Sequence, residues 1–157
     1  MLRLALIAAS FGLSACASAS ITPPQQKVVN KSLLIPLHYE ETWRKSVAWF
    51  ANRNIIIDKI QKESGLIAAK YRLSVNDGVV DCGNISISGL IGAPEIEKYA
   101  NLNVVLAPSG SSTSVTMNIF GDFLAVGRDA WDGRSVRVEG DCISTGILEA
   151  VYFREIS

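Results

Sequence analysis

The sequence lacks net charge, and it holds little of what catalysis usually requires. Its 15 basic and 15 acidic residues give a formal charge of zero, so no long-range field attracts nucleic acid or another polyanion. His38 is the single histidine. A lone histidine without an identifiable nucleophile is a poor catalyst, so we expect His38 to be a surface or partly packed side chain.

The motifs of common catalytic and cofactor sites are missing as well. The chain has no Gly-x-Ser-x-Gly elbow, phosphate-binding loop, paired-histidine zinc motif or dinucleotide fingerprint. We therefore expect no catalytic residue, no metal ion and no cofactor, and an enzyme is the least supported class of function. The 157 residues, 48% hydrophobic and 19% charged, have the length and composition of one folded domain.

The first residues have the pattern of a secretory leader. Arg3 precedes an apolar run over residues 4–13, which is too short to span a bilayer but has the length of a signal core. The run ends in Leu13-Ser14-Ala15-Cys16, which resembles the bacterial lipobox at all four positions. The resemblance implies removal of residues 1–15 and a lipid anchor on Cys16. Two alternatives stay open: an ordinary signal peptide with Cys16 as a bystander, and a buried amphipathic helix.

The residues that follow Cys16 predict an address and a linker. Ala17 and Ser18, with no Asp at the position next to the cysteine, resemble lipoproteins that are sent to the outer membrane. We therefore expect a periplasm-facing protein at the outer rather than the inner membrane. Residues 16–31 are small and polar, include a Pro-Pro pair and show no periodicity, which predicts a flexible tether. Residues 32–157 are then a single periplasmic domain.

Hydrophobic periodicity predicts an early helix between Tyr39 and Asn52. Trp43, Val47, Phe50 and Ala51 fall on one face, and Trp49 is expected to be exposed or to pack at the edge. A second helix is predicted at the end of the chain, where Leu148, Val151, Tyr152 and Ile156 share a face. Its candidate caps are Ser144, Thr145 and Gly146.

Between the helices the pattern changes to alternation, which predicts strands. The strand segments lie near residues 55–57, 67–73, 85–88, 102–106, 115–119 and 135–139. Turn signals separate several of them, at Glu63-Ser64-Gly65, Asn76-Asp77-Gly78 and Pro108-Ser109-Gly110-Ser111. The sequence therefore predicts an α+β fold: an antiparallel sheet of about five to seven strands, with the early and C-terminal helices packed on one face.

Cysteine parity predicts a disulfide. If Cys16 carries lipid, Cys82 and Cys142 form an even pair in an oxidising compartment. The alternative is a redox or metal site, but no Cys-x-x-Cys pair exists and the single histidine is distant in sequence.

One loop region offers a candidate binding surface. Arg128, Arg134 and Arg137 surround Trp131, and guanidinium groups beside an indole suit an anion or a polysaccharide. Acidic residues interleave with these arginines, so a mixed, solvated face is the competing interpretation. Asp129-Ala130-Trp131-Asp132-Gly133 contains possible calcium ligands but lacks the further acidic positions of a calcium loop, so a hairpin turn is favoured.

The helix, strand, Ser-Gly turn and strand from Trp43 to Leu73 resemble the repeated domain of BamC, an accessory lipoprotein of the outer-membrane β-barrel assembly machine. Cys142-Ile143-Ser144-Thr145-Gly146-Ile147-Leu148-Glu149 resembles the strand-to-helix junction of small envelope lipoproteins with this helix-grip type of domain. The resemblance implies the same kind of fold and a non-catalytic role in interaction.

The leading functional hypothesis is a lipid-anchored, non-enzymatic module that binds another envelope protein, as an accessory in assembly or stability. One alternative is a small-ligand or lipid-binding domain with a cavity between the sheet and Tyr152 of the C-terminal helix. Another is a cell-wall-binding module that uses Trp131 and its arginines, and a third is a hydrolase with an unrecognised site.

Overall fold

The computed structural model describes residues 18–74 and 77–157. The two helices and the long strands occur where periodicity predicts them, and the α+β class is confirmed. In chain order the elements are β1 (Ser18–Thr22), β2 (Ser32–Ile35), α1 (Tyr39–Asn52), β3 (Ile57–Gln61), β4 (Leu66–Leu73), β5 (Val80–Asp81), β6 (Asn84–Ser88), β7 (Glu95–Ser109), β8 (Ser112–Arg128), β9 (Ser135–Ser144) and α2 (Ile147–Ile156).

Seven strands form the main sheet, in the order β3-β4-β7-β8-β9-β5, with β2 paired to β8. All of its pairings are antiparallel. The sheet is built on the long β7–β8 hairpin, whose register runs from Glu95 opposite Val126 to Ser109 opposite Ser112. The chain reverses there through Gly110, whose φ of 62° is one that glycine adopts without a steric penalty.

One face of this sheet, called the inner face below, holds the core. Alternate residues of β7 and β8 are buried on it, and α1 and α2 lie against these two strands. The buried residues of the hairpin are Ala100, Leu102, Val104, Leu106, Val115, Met117, Ile119, Phe123 and Ala125. The opposite face, called the outer face, carries the intervening side chains, which are exposed or half-buried.

A two-stranded ribbon of β1 and β6 lies at the other end of the inner face. Val80 lies against Gly121, and Leu90 lies against Gly127, so the segment that contains β5 and β6 is held close to β8. Ile85 and Ile87 of β6 pack on the core, as their alternation with serines predicts. The inner face is therefore covered by the two helices and by the ribbon.

The buried face of α1 differs from the predicted one. Trp49, expected to be exposed or at the edge, is only 4% exposed and packs edge-on against Phe50 and Tyr152, whereas Ala51 is exposed. The stripe includes Thr42 and Ser46, which are buried because their hydroxyls donate to the carbonyls of His38 and Thr42. A search for apolar positions does not select these two polar residues, so it assigns the buried face of α1 incorrectly.

At α2, Gly146 occupies the N-cap position and Ser144 supplies a polar link beside it. The Ser144 hydroxyl accepts the Gly146 N–H and donates to the buried Glu149 carboxylate at 2.6 Å. The Tyr152 hydroxyl donates to Ser46 Oγ at 2.8 Å and joins α2 to α1. The two helices are thus tied by a hydrogen bond that lies inside the core.

The predicted tether differs from what the structure has. Ser18–Thr22 is strand β1, paired with β6, and Lys31 accepts a hydrogen bond from Met117 N–H on the edge of β8. Its serines alternate with Ala19 and Ile21, and all five residues of the strand are exposed. Part of the predicted linker therefore belongs to the folded domain.

Several predictions fall outside the described residues. These are the leader over residues 1–15, the lipobox Leu13-Ser14-Ala15-Cys16 with its predicted lipid on Cys16, and Asn76, the first residue of the predicted turn Asn76-Asp77-Gly78. Within the described ranges, neither helix is long and apolar enough to cross a membrane.

Candidate functional site

The predicted disulfide is present. Cys82, in the loop between β5 and β6, is bonded to Cys142 in β9, 60 residues later. Both cysteines are buried, and Cys142 lies beside Gly121 of β8. The bond therefore fastens the ribbon end of the molecule to the centre of the main sheet.

Arg128, Trp131 and Arg134 are brought together at the turn between β8 and β9, and the indole of Trp131 is 79% exposed. Arg134 pairs with Asp132 at 2.8 Å, and Arg137 pairs with Glu139 at 2.6 Å. Arg137 lies on β9, opposite Val126 and one outer-face position beyond Ser135. This end of the molecule has the mixed charge that the alternative interpretation of the sequence predicts.

The acidic residues of this turn hold its backbone. Asp129 Oδ1 accepts the Trp131 N–H at 2.7 Å, and Asp132 Oδ1 accepts the Arg134 N–H at 2.9 Å. These contacts are typical of Asp in turns. Across the described residues no cluster of three or more His, Cys, Asp or Glu side chains is arranged to hold a metal ion.

His38 is exposed at the N-cap position of α1. Its carbonyl accepts hydrogen bonds from the N–H of Thr42 and from the Thr42 hydroxyl, and its side chain caps nothing. It is a surface residue, as expected.

The space next to Tyr152 is filled. The Tyr152 side chain is fully buried, and its ring centroid lies 5.0 Å from that of Trp49. Burial raises the pKa of the Tyr152 hydroxyl well above the usual tyrosine value. The Trp49 ring therefore fills the space between Tyr152 and α1.

A groove of about 260 Å³ lies where the chain segment before β2 passes β8 and β9. We call residues 23–31 the strap and this cavity the strap groove. It is lined by Gln26, Lys27, Val29 and Lys31 of the strap and by Ile119, Phe120, Cys142, Ile143 and Ser144 of the sheet.

The groove exists because the edge of β8 has two partners that do not meet. β2 pairs with β8 as far as Thr116, and Lys31 extends this contact to Met117. Further along β8, the pairing with β9 starts at Phe120, which lies opposite Ile143. The edge of β8 between Met117 and Phe120 is therefore left without a strand beside it, and the strap bridges the gap.

The groove has an apolar floor and a basic rim. Phe120 is 50% exposed on the outer face, and its cross-strand neighbour Ile143 is half-buried. Lys27 and Lys31 are exposed, and neither takes part in an ion pair with another described residue. An aromatic side chain beside cationic groups can hold an apolar side chain next to a carboxylate.

Several polar groups elsewhere on the outer face already have partners, although this face also carries the exposed Val105. Lys70 pairs with Asp122 at 3.3 Å, and Asn101 donates to Asp122 at 2.8 Å. Tyr99 donates to Glu97, and this hydrogen bond raises the pKa of the Tyr99 hydroxyl. Because these groups already have hydrogen-bond or ion-pair partners, they are less available to bind another protein than the residues of the strap groove are.

Sequence reasoning missed the strap groove. The one local signal is Phe120, an aromatic residue at a position where the alternation of Val115, Met117 and Ile119 predicts a polar, outward-facing side chain. The lysines of the strap gave no signal, because their proximity to Phe120 depends on how distant segments pair.

No protein-family model matches the chain, and no curated protein matches it either.

Proposed function

We propose that this protein is a lipid-anchored, non-enzymatic module of the cell envelope that binds another envelope protein through the strap groove. The anchor is Cys16, and the domain faces the periplasm from the outer membrane. The single observation that supports this function is the exposed Phe120 on an apolar floor beneath Lys27 and Lys31. Exposed aromatic anchors with a polar rim are typical of protein interfaces.

The partner segment that fits is an extended stretch with an apolar residue next to an Asp or Glu. The apolar side chain would contact Phe120 and Ile143, and the carboxylate would lie beside Lys27 or Lys31. The groove, at about 260 Å³, lies just below the roughly 300–1,000 Å³ of small-molecule pockets, so a partner side chain is the better-fitting occupant.

The test is photo-crosslinking in cells that produce the full chain. A photoreactive amino acid replaces Phe120 in one variant and Ile60 in a matched control. Ile60 is 48% exposed, against 50% for Phe120, but it lies on β3 at the far edge of the sheet. We expect a discrete protein adduct from position 120 and none from position 60.

Charge reversal supplies the second arm. The pair Lys27→Glu and Lys31→Glu, placed in the position-120 variant, should abolish the adduct, whereas Lys59→Glu on β3 should leave it unchanged. The same adduct from positions 60 and 120, or an adduct insensitive to the strap lysines, would contradict the proposed site. The intact mass of the membrane-extracted protein tests the anchor separately. The parent must lack residues 1–15 and carry acyl chains, whereas Cys16→Ala must be neither cleaved before position 16 nor acylated.

A further inference from the structure

The chain enters the folded domain at a defined corner. Ser18, the first residue of β1, lies opposite Ser88 at the end of β6, and their hydroxyls are 2.7 Å apart. Cys16 precedes Ser18 by two residues, so covalent geometry keeps their Cα atoms within about 7 Å of each other. Acyl chains on Cys16 would therefore bring this corner, rather than the end of a long linker, to the bilayer.

The same corner carries the most exposed aromatic residue of the described chain, Trp131. Gly89, which follows Ser88, accepts a hydrogen bond from Ala130 N–H at 2.8 Å, and Ile91 N–H donates to the Arg128 carbonyl at 2.8 Å. Strand spacing and chain geometry thus hold Trp131 within roughly 20 Å of Ser18. Ile91 is 62% exposed and Trp131 is 79% exposed.

We infer that this corner, made of Ile91, Arg128, Trp131 and Arg134, is a membrane-contact surface that lies in the headgroup layer of the bilayer to which Cys16 is anchored. The inference rests on the proposed lipidation of Cys16. An indole prefers the interface between water and hydrocarbon, where its ring is apolar and its N–H stays hydrated. Arginine side chains place their guanidinium groups among anionic phosphates while their stems remain in apolar contact.

The inference also orients the strap groove. β9 leaves the corner at Ser135 and reaches the groove at Ile143, and eight residues of strand span about 26 Å. The groove would then face the periplasm, well clear of the headgroups, while the corner contacts lipid. A protein partner would then bind midway along β8, and the membrane would contact the end of this strand at Arg128.

The test uses the lipidated protein, purified from membranes and reconstituted in vesicles of phosphatidylethanolamine and phosphatidylglycerol with brominated acyl chains. Trp43 and Trp49 are 7% and 4% exposed, so they give a background that Trp131→Phe isolates by difference. We expect a blue-shifted Trp131 component that loses on the order of half its intensity to the bromine atoms nearest the headgroups, as befits an interfacial indole.

The control moves the indole beside β3, the edge strand three strands away from β8. In the double variant Trp131→Phe, Ile56→Trp the new indole replaces a residue that is 76% exposed beside β3, and it should be neither quenched nor shifted. An acylated protein whose Trp131 is not quenched overturns the inference and leaves the anchor intact. Trp131-dependent retention on peptidoglycan without quenching would also overturn it. A protein without acyl chains removes the anchor, and with it this inference.

Discussion

The two faces of β8 have different tasks, and two phenylalanines three residues apart define the difference. Phe123 is 2% exposed on the inner face, under the helices and the ribbon, whereas Phe120 is 50% exposed on the outer face at the strap groove. The same residue type therefore contributes to the core in one place and to a candidate binding surface in the other. Because successive side chains of a strand point to opposite faces, residues for stability and residues for recognition alternate along β8.

The largest expected effect tests this separation directly. Phe123→Ala should lower the free energy of unfolding by about 3–5 kcal/mol, because it removes a buried ring and leaves a cavity. Phe120→Ala should lower it by less than about 1 kcal/mol, because half of that ring is already in water. Denaturant unfolding followed by circular dichroism measures both.

The matched outcome concerns binding. Phe120→Ala should weaken the adduct seen from a photoreactive group placed at Lys27, while its unfolding midpoint stays close to that of the parent. Equal destabilisation by the two substitutions would mean that the two faces are equally structural, and the outer face would lose its claim to a separate function.

The disulfide gives the next largest effect. Replacing Cys82 and Cys142 together by Ala should destabilise the domain by up to about 4 kcal/mol on the chain-entropy model, because the bond closes a loop of some sixty residues in the unfolded chain. Thermal unfolding with and without a reducing agent should reproduce this loss in the parent and leave the double variant unchanged. A reductant-insensitive parent would show that the bond adds nothing to stability.

The sequence predicted the fold class because its signals are local. The bounds of α1, the turn before β4 and the alternation of β7 and β8 follow from the spacing of apolar residues and from turn chemistry. The order of the strands does not follow from these local signals. β1 pairs with β6 across more than sixty residues, and no periodicity in the sequence specifies that pairing. The hairpin strands are also longer than predicted, since Gly121 and Asp122 interrupt the apolar pattern without ending β8.

The candidate sites follow the same rule. Trp131 and its arginines are neighbours in sequence, and the structure brings Arg128 and Arg134 to one turn with the indole. The Cys82–Cys142 bond could be predicted without geometry, because the proposed lipidation of Cys16 would leave these two of the three cysteines as one pair. The strap groove could not, because it requires two partners of β8 that stop short of each other.

A smaller effect is expected inside the core, between the helices. Tyr152→Phe removes the hydrogen bond to Ser46 and should lower the free energy of unfolding by about 1 kcal/mol near neutral pH. Because burial raises the pKa of Tyr152, the folded protein keeps this proton where the unfolded chain, with an ordinary value of 10.0, loses it.

The sign of the pH dependence follows from that difference. The contribution of Tyr152 is fully present below pH 10 and is lost as pH rises further, by about 1.4 kcal/mol per pH unit. The Phe variant lacks this proton, so its stability should fall less steeply and approach that of the parent above pH 10. Parallel curves in urea titrations from pH 8 to 11 would contradict the burial of the hydroxyl.

The smallest effect belongs to the outer face, and it completes the comparison. Asp122 accepts contacts from Lys70 and Asn101 in a setting that water reaches, where a salt bridge contributes between zero and about 1 kcal/mol. Asp122→Asn should therefore lower the free energy of unfolding by less than about 1 kcal/mol, and high salt should shrink the difference further because it screens the parent's ion pair. Urea unfolding at low and high ionic strength measures this change. Since Asp122 lies on β8 next to Phe123, one residue and one face away, a loss as large as that of Phe123→Ala would mean that the polar outer network supports the fold as much as the core does.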